Sequence, residues 1–291
     1  MKRALIMAIL SGCSARAPVP DGVRQEVLEA LAPAGGEWAV YFKHLETGAE
    51  LEVRADDEFH PASTLKVWVL IKVFQDVREG RYRLEDELEV TKRFPSAARR
   101  DPRPFDVEPA SRKVASAVGG RMPIRHLAEE MITVSDNVAT NVLIGRAGGP
   151  DAITSSLAAH GVRRSNVRRF IMDSQAFEEG FSSVACARDF GRIFERLARG
   201  EVVSPEASSA MLGIMGRLRD NSMLPRRLPS EARVAHKTGA IDGVRADAGL
   251  VTLPDGRRYV AAFFGRGFQD EKKAEACIAG ASRVLYDFAS R

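Results

Sequence analysis

Ser63 and Lys66 stand three positions apart in Ser63-Thr64-Leu65-Lys66, just after Pro61 and just before the apolar run Val67-Trp68-Val69-Leu70-Ile71. Proline suits a helix entry, because its fixed φ and missing N–H cost nothing there. A helix beginning at about Ser63 would bring hydroxyl and amine onto one face, one turn apart. Held among apolar neighbours, the amine loses solvation, its pKa falls, and a neutral proton acceptor becomes accessible beside a serine. The competing reading is a capping serine followed by a surface lysine, and so short a pattern does not decide between them. Two further clusters bear on the choice. Ser135-Asp136-Asn137 breaks a helical pattern with three residue types that compete for backbone partners. Lys237-Thr238-Gly239 is predicted at a strand end, where a cation, a hydroxyl and a closely approaching backbone could hold a carboxylate.

Composition narrows the classes of chemistry. With 291 residues, 45% hydrophobic and 28% charged, the chain suits one large domain or two intimately packed halves around a real core. The net charge of +4 invites an anionic partner. However, Lys2 and Arg3 belong to a stretch that reads as removable, and the cluster Arg163 to Arg169 lacks interleaved aromatics. That cluster reads as a solvated loop, so no nucleic-acid partner is expected. The five histidines are scattered and no C-x-x-C or H-x-x-H pair exists, so no metal is expected. No glycine-rich phosphate cradle is present either, so no cofactor is expected; a small-molecule substrate and a monomer are separate expectations.

The N-terminus reads Met1-Lys2-Arg3, then Ala4 to Leu10, then Ser11-Gly12-Cys13. A basic start, a short apolar stretch and small residues form the grammar of an export signal. Leu10-Ser11-Gly12-Cys13 also resembles a bacterial lipobox, in which Cys13 is acylated and becomes the first residue. The apolar run is too short to span a bilayer, so membrane association is expected only through that lipid. Residues 1–20 are then signal and tether, and the protein is expected in the cell envelope. Cys186 and Cys277 remain, in two different predicted helices.

The elements that must position the three clusters follow from periodicity. A helix is predicted over Asp21 to Ala32, then a hairpin from Trp38, Val40 and Phe42 through Thr47-Gly48 to Leu51 and Val53. The Ser63 helix should stop at Gly80. From Phe94 to Gly120 four prolines punctuate a stretch without periodicity, which reads as a long loop. Helices return over Ile124 to Ile132, Val138 to Ile144, from Pro150 to Gly161, around Phe190 to Leu197, and from Ser204-Pro205. The last quarter holds strands over Val234 to Lys237, Val244 to Leu253 and Arg258 to Gly265, then a long amphipathic helix carrying Ala274, Cys277, Ile278, Ala281, Val284, Leu285 and Phe288. The expected α+β fold is one antiparallel sheet built from both chain ends and flanked by helices, with an all-helical subdomain inserted. Residues 21–61 and 217–291 would form the α/β part of a single catalytic unit, and 62–216 the helical part.

Taken in order, Ser63-x-x-Lys66, Ser135-Asp136-Asn137 and Lys237-Thr238-Gly239 form the signature of penicillin-recognising serine enzymes, and their arrangement most resembles class A β-lactamases. The resemblance covers roughly residues 21–291 and extends to Pro61-Ala62 and Ile132-Thr133-Val134. It implies that Ser63 attacks a carbonyl and that Lys66 accepts its proton. Ser135 would relay a proton to the departing nitrogen, helped by Lys237. Asn137 would bond the substrate's side-chain amide. Lys237 and Thr238, beside Gly239, would hold its carboxylate, with Arg245 on the adjacent strand as a second cation or else a plain surface arginine. The N–H groups of Ser63 and Ala240 would form the oxyanion hole. Asp136 is expected to brace its loop.

One departure from the family pattern matters. Class A enzymes carry R-x-E-x-x-L-N in the loop before the Phe190 helix, and its glutamate activates the water that clears the acyl-enzyme. Here the matching stretch is Arg169-Phe170-Ile171-Met172-Asp173-Ser174-Gln175, with Ile171 where the glutamate should be. Asp173, Glu178 and Glu179 lie nearby and read as solvated loop residues. The leading expectation is a β-lactamase-like serine hydrolase with slow deacylation. The alternatives are a D,D-carboxypeptidase or esterase of the penicillin-binding type, and a covalent receptor for β-lactams or peptidoglycan fragments. The receptor reading would require an output element, and no transmembrane stretch is evident in the sequence.

Overall fold

The computed structural model describes residues 18–291, so the export and lipobox stretch with Cys13, and most of the tether, lie outside the described residues. A five-stranded antiparallel sheet forms the frame, in the spatial order Glu50–Val53, Glu37–His44, Arg258–Arg266, Val244–Thr252, Arg233–Ile241. The first two strands come from the start of the chain and the other three from its end, as the hydrophobic pattern predicts. Strand alternation then divides the apolar residues between two cores. Val40, Phe42, Val251, Tyr259, Ala261 and Phe263 face the terminal helices Asp21–Leu31 and Glu271–Ala289. Ala39, Tyr41, Ala246, Ala248, Val260, Ala262 and Phe264 face the helical insert.

At the centre of the insert lies the helix Lys66–Arg78, whose residues from Lys66 through Phe74 are all buried. Besides Lys66, its buried polar residues are Lys72 and Asp76, which neutralise each other one turn apart. Around it stand Ile124–Thr133, Asn137–Arg146, Pro150–Leu157, Ala187–Ala198 and Pro205–Met215. Ala187–Ala198 bridges insert and sheet, and Gly191 allows it: a Cβ there would lie 1.9 Å from the Tyr41 ring.

Several sequence expectations are revised. The lysine helix starts at Lys66, because Ala62–Leu65 form a 3₁₀ turn that holds Ser63. The stretch after Phe94 is not a bare loop: Arg112–Ala117 is helical, capped by the Ser111 hydroxyl, a cap hidden among the prolines. The Lys237 strand runs on to Ile241, which places Lys237-Thr238-Gly239 inside a strand rather than at its end. Cys186 stands just before its helix rather than within it, and both described cysteines are buried free thiols.

Candidate active site

The turn carrying Ser63 is held in an unusual conformation. His60 Nδ1 accepts the Ala62 N–H at 3.0 Å, the Pro61 carbonyl accepts the Thr64 hydroxyl at 2.6 Å, and Ala62 has φ of +45°. A non-glycine residue in the left-handed region stores strain, which here sits directly before the serine. Burial pushes the His60 imidazole down to about 4, with the Arg169 charge adding to the effect, so His60 serves the turn as a neutral acceptor.

Lys66 opens the central helix and is completely buried. Its Nζ donates to the Ser135 carbonyl at 2.7 Å and to Asn137 Oδ1 at 2.8 Å, and lies 3.0 Å from Ser135 Oγ. Burial drives its pKa well below the usual lysine range, the Lys237 charge drives it further, and Asp136 opposes both. Ser135 also has a positive φ, +59°, at the break between two helices. Asp136 makes that break: its Oδ1 caps the second helix through the Ala139 N–H at 2.8 Å, and its Oδ2 accepts the Ser111 N–H at 2.8 Å.

The third side of the site is the edge strand. Lys237 is fully buried and is pushed down to about 8 by desolvation, against the pull of Asp247 and Asp220. Gly239 passes so close to the serine turn that a Cβ would lie 2.8 Å from the Pro61 carbonyl and 3.1 Å from the Ser63 N. That approach brings Ala240 onto the same cavity wall as Ser63 and Asn137. The cavity holds about 280 Å³. Together these groups offer a hydroxyl at a strained turn, a depressed amine, a second hydroxyl beside that amine and an edge of backbone N–H groups. Such an arrangement can move a proton between two serines while a carbonyl is attacked.

Arg245 does not join them. It shares the sheet face of Val251, where its guanidinium bonds Glu275 at 3.1 Å and Glu271 at 2.8 Å on the C-terminal helix. It is neither a second substrate cation nor a surface arginine but part of a buried ion pair. Strand alternation is the reason: Ala246, its neighbour, takes the face toward the insert. At the other end of the site, Asp220 is hydrogen-bonded by Thr238 and feels the charge of Lys237. Desolvation pushes its carboxyl up, but hydrogen bonds from Ser222 and Thr238 and the Lys237 charge hold it below the usual carboxylate range.

Opposite Ser63 runs the loop 169–180. Asn141, an asparagine buried in mid-helix, accepts the Ile171 N–H at 2.8 Å and donates to its carbonyl at 2.9 Å, fixing Ile171 on the cavity wall. Among the described residues no aspartate or glutamate lines that cavity. Asp173 is not a solvated loop residue. It is fully buried and ties its loop to Ser96 Oγ at 2.8 Å and the Ala97 N–H at 2.7 Å, while Glu179 accepts the Arg99 and Arg100 N–H groups. The proline-punctuated stretch after Phe94 thus buttresses this loop. An asparagine inside an apolar helix is the one signal that could have pointed to Asn141 in advance; nothing in the sequence marks Asp220.

A depressed, buried amine three positions after Ser63 and hydrogen-bonded to Ser135, on converging elements, is the arrangement of a serine acyl-transfer enzyme. A model of the β-lactamase enzyme family matches residues 22–289, and the chain belongs to that family as a β-lactamase-like serine hydrolase. The β-lactamase of Streptomyces albus G is 26% identical over 264 residues, covering 87% of this chain and 80% of that protein. That of Rhodobacter capsulatus is 26% identical over 266 residues, covering 90% and 85%. Among solved structures, PBP-A is 29% identical with a TM-score of 0.81, over 94% of this chain and 97% of that one.

Proposed function

We propose that the enzyme opens β-lactams through a Ser63 acyl-enzyme and clears that intermediate slowly. The observation that carries this reading is the pairing of a complete acylation set with Ile171, pinned by Asn141, on a cavity wall that bears no carboxylate. A neutral Lys66 takes the proton of Ser63 as its Oγ bonds to the lactam carbonyl carbon, while the N–H groups of Ser63 and Ala240 stabilise the oxyanion. As the C–N bond breaks, Ser135, 3.0 Å from Lys66 Nζ, delivers its hydroxyl proton to the nitrogen and is reprotonated from Lys66. Asn137, whose Oδ1 is taken by Lys66, presents its NH₂ to the substrate's side-chain carbonyl. Lys237 holds the ring carboxylate, and Thr238 turns its hydroxyl from Asp220 to that carboxylate as substrate binds. Water must then hydrolyse the ester without a carboxylate base on the wall.

PBP-A has been captured, as a leucine-to-glutamate variant, in an acyl-enzyme complex with penicillin G, which supports the first half of this scheme for a fold of this kind. The test is labelling by a fluorescent penicillin: wild type should be labelled on Ser63 and Ser63→Ala should not. Persistent labelling of the alanine variant would remove Ser63 from the mechanism. No adduct and no lactam turnover in wild type would instead point to a peptide or ester substrate.

The same reading puts the enzyme in a bacterial cell envelope as a monomer anchored by acylated Cys13, supported by Leu10-Ser11-Gly12-Cys13 after a basic start. Wild type expressed in a bacterial host should fractionate with membranes, and Cys13→Ser should abolish lipidation by mass spectrometry. An unacylated soluble wild type contradicts the anchor.

A further inference from the structure

Among the described residues, Arg169 is the only charged side chain on the wall of the Ser63 cavity, and it forms no ion pair there. Its Nη1 reaches only two backbone carbonyls, that of Asp173 at 3.2 Å and that of Phe170 at 3.4 Å. Its Nε is buried with no hydrogen-bond partner. The nearby carboxylate is committed elsewhere, since Asp173 bonds Ser96 Oγ and the N–H groups of Ala97 and Ala176. Burial lowers the guanidinium pKa, with Asp173 opposing, yet an arginine stays charged at any working pH. The unmet Nε is sealed from solvent, so what Arg169 brings to the cavity wall is an unpaired charge, and a carboxylate is its natural complement.

The surroundings narrow the ligand further. The guanidinium carbon lies 5.2 Å from the Phe177 ring centroid. Phe177, Met172 and Ile241 are exposed and line the same cavity, and Met172 is held there with φ of +68°. His60, on the same wall, is neutral. The cavity therefore presents an aromatic and aliphatic rim around one positive charge, on the wall formed by the 169–177 loop.

We infer that this cavity is a subsite for acyl donors whose side chain combines an apolar or aromatic group with a carboxylate, and that Arg169 is the counter-ion of that carboxylate. The inference rests on the reading of Ser63 as the residue acylated by β-lactams. Benzylpenicillin and α-carboxybenzylpenicillin form the matched pair that tests it, because they differ only by a side-chain carboxylate and share the ring carboxylate. The readout is the ratio of their second-order rates of adduct formation on Ser63, followed by intact mass. Arg169→Met should lower the carboxy-to-benzyl ratio about tenfold, the scale of a half-buried charge-assisted pair, and Arg169→Lys should lower it less. In wild type, raising salt from about 0.05 to 0.5 M should also lower the ratio through screening, a measurement that needs no variant. A ratio within about twofold of wild type in Arg169→Met, or, should that variant not fold, a wild-type ratio indifferent to salt, overturns the inference. If benzylpenicillin neither leaves an adduct on wild type nor is turned over by it, the lactam reading falls and this inference with it; acylation, trapped or turned over, whose ratio ignores Arg169 removes the inference alone.

Discussion

Two lysines in this site carry opposite assignments, and their environments separate them. Lys66 is surrounded by three oxygen atoms within 3.0 Å but is driven strongly toward the neutral form by burial and by Lys237. Lys237 keeps partial support from Asp247 and Asp220 and sits at about 8. The proposed acylation requires a neutral Lys66 and a charged Lys237. The rate of Ser63 adduct formation should therefore fall as pH rises through about 8, where Lys237 loses its proton, and fall again in acid as Lys66 gains one. Lys237→Arg, whose guanidinium stays charged, should shift the basic limb upward by at least about one unit. A rate that is flat from neutral to strongly alkaline pH would separate Lys237 from substrate binding. The residues of the three clusters were legible in the sequence because each motif is contiguous and local chemistry decides its type. Arg245 was not: whether a strand arginine reaches the substrate depends on which face its register assigns, and only the paired strands settle that.

At the scale of elements, the decisive feature is the loop 169–180, which two partners hold from opposite sides. Asn141 takes both backbone groups of Ile171, while Asp173, Gln175 and Glu179 fasten the loop to residues 96–103. Asn141→Leu keeps the volume but leaves the Ile171 N–H and carbonyl without partners, which costs roughly 1–3 kcal/mol for a buried group. Calorimetry should show a lowered Tm, and amide exchange at 170–173 should accelerate. An unchanged Tm with protected amides would mean that the contacts to residues 96–103 hold the loop alone. The sequence showed this region only as two polar loops, because tethers between segments some 75 positions apart leave no periodic trace. The short helix after Ser111 escaped for a related reason: a single capping serine among prolines carries little weight without the tertiary contacts of Glu130 and Asp136.

For the whole molecule, the site exists because the chain leaves the sheet after two strands, builds the helical insert, and returns to add three more. Ser63 and Lys66 stand where it leaves, Ser135 and Asn137 lie in the insert, and Lys237 to Ala240 form the returning edge strand, with Gly239 permitting the closest approach. This architecture was legible from the order of elements, strands at both ends with helices between, and from the alternation that divides Phe263 and Phe264 between two cores. On the proposed reading, what the fold assembles suffices for acylation and, among the described residues, has no carboxylate on the cavity wall to activate water. The most direct test is intact mass against time after mixing with benzylpenicillin, for wild type and for Ile171→Glu. In wild type a Ser63 adduct should form fast and decay slowly, since a missing general base is worth about 10²–10⁴ in rate, and in the glutamate variant it should decay faster. Rapid turnover by wild type with no trapped adduct would contradict that expectation.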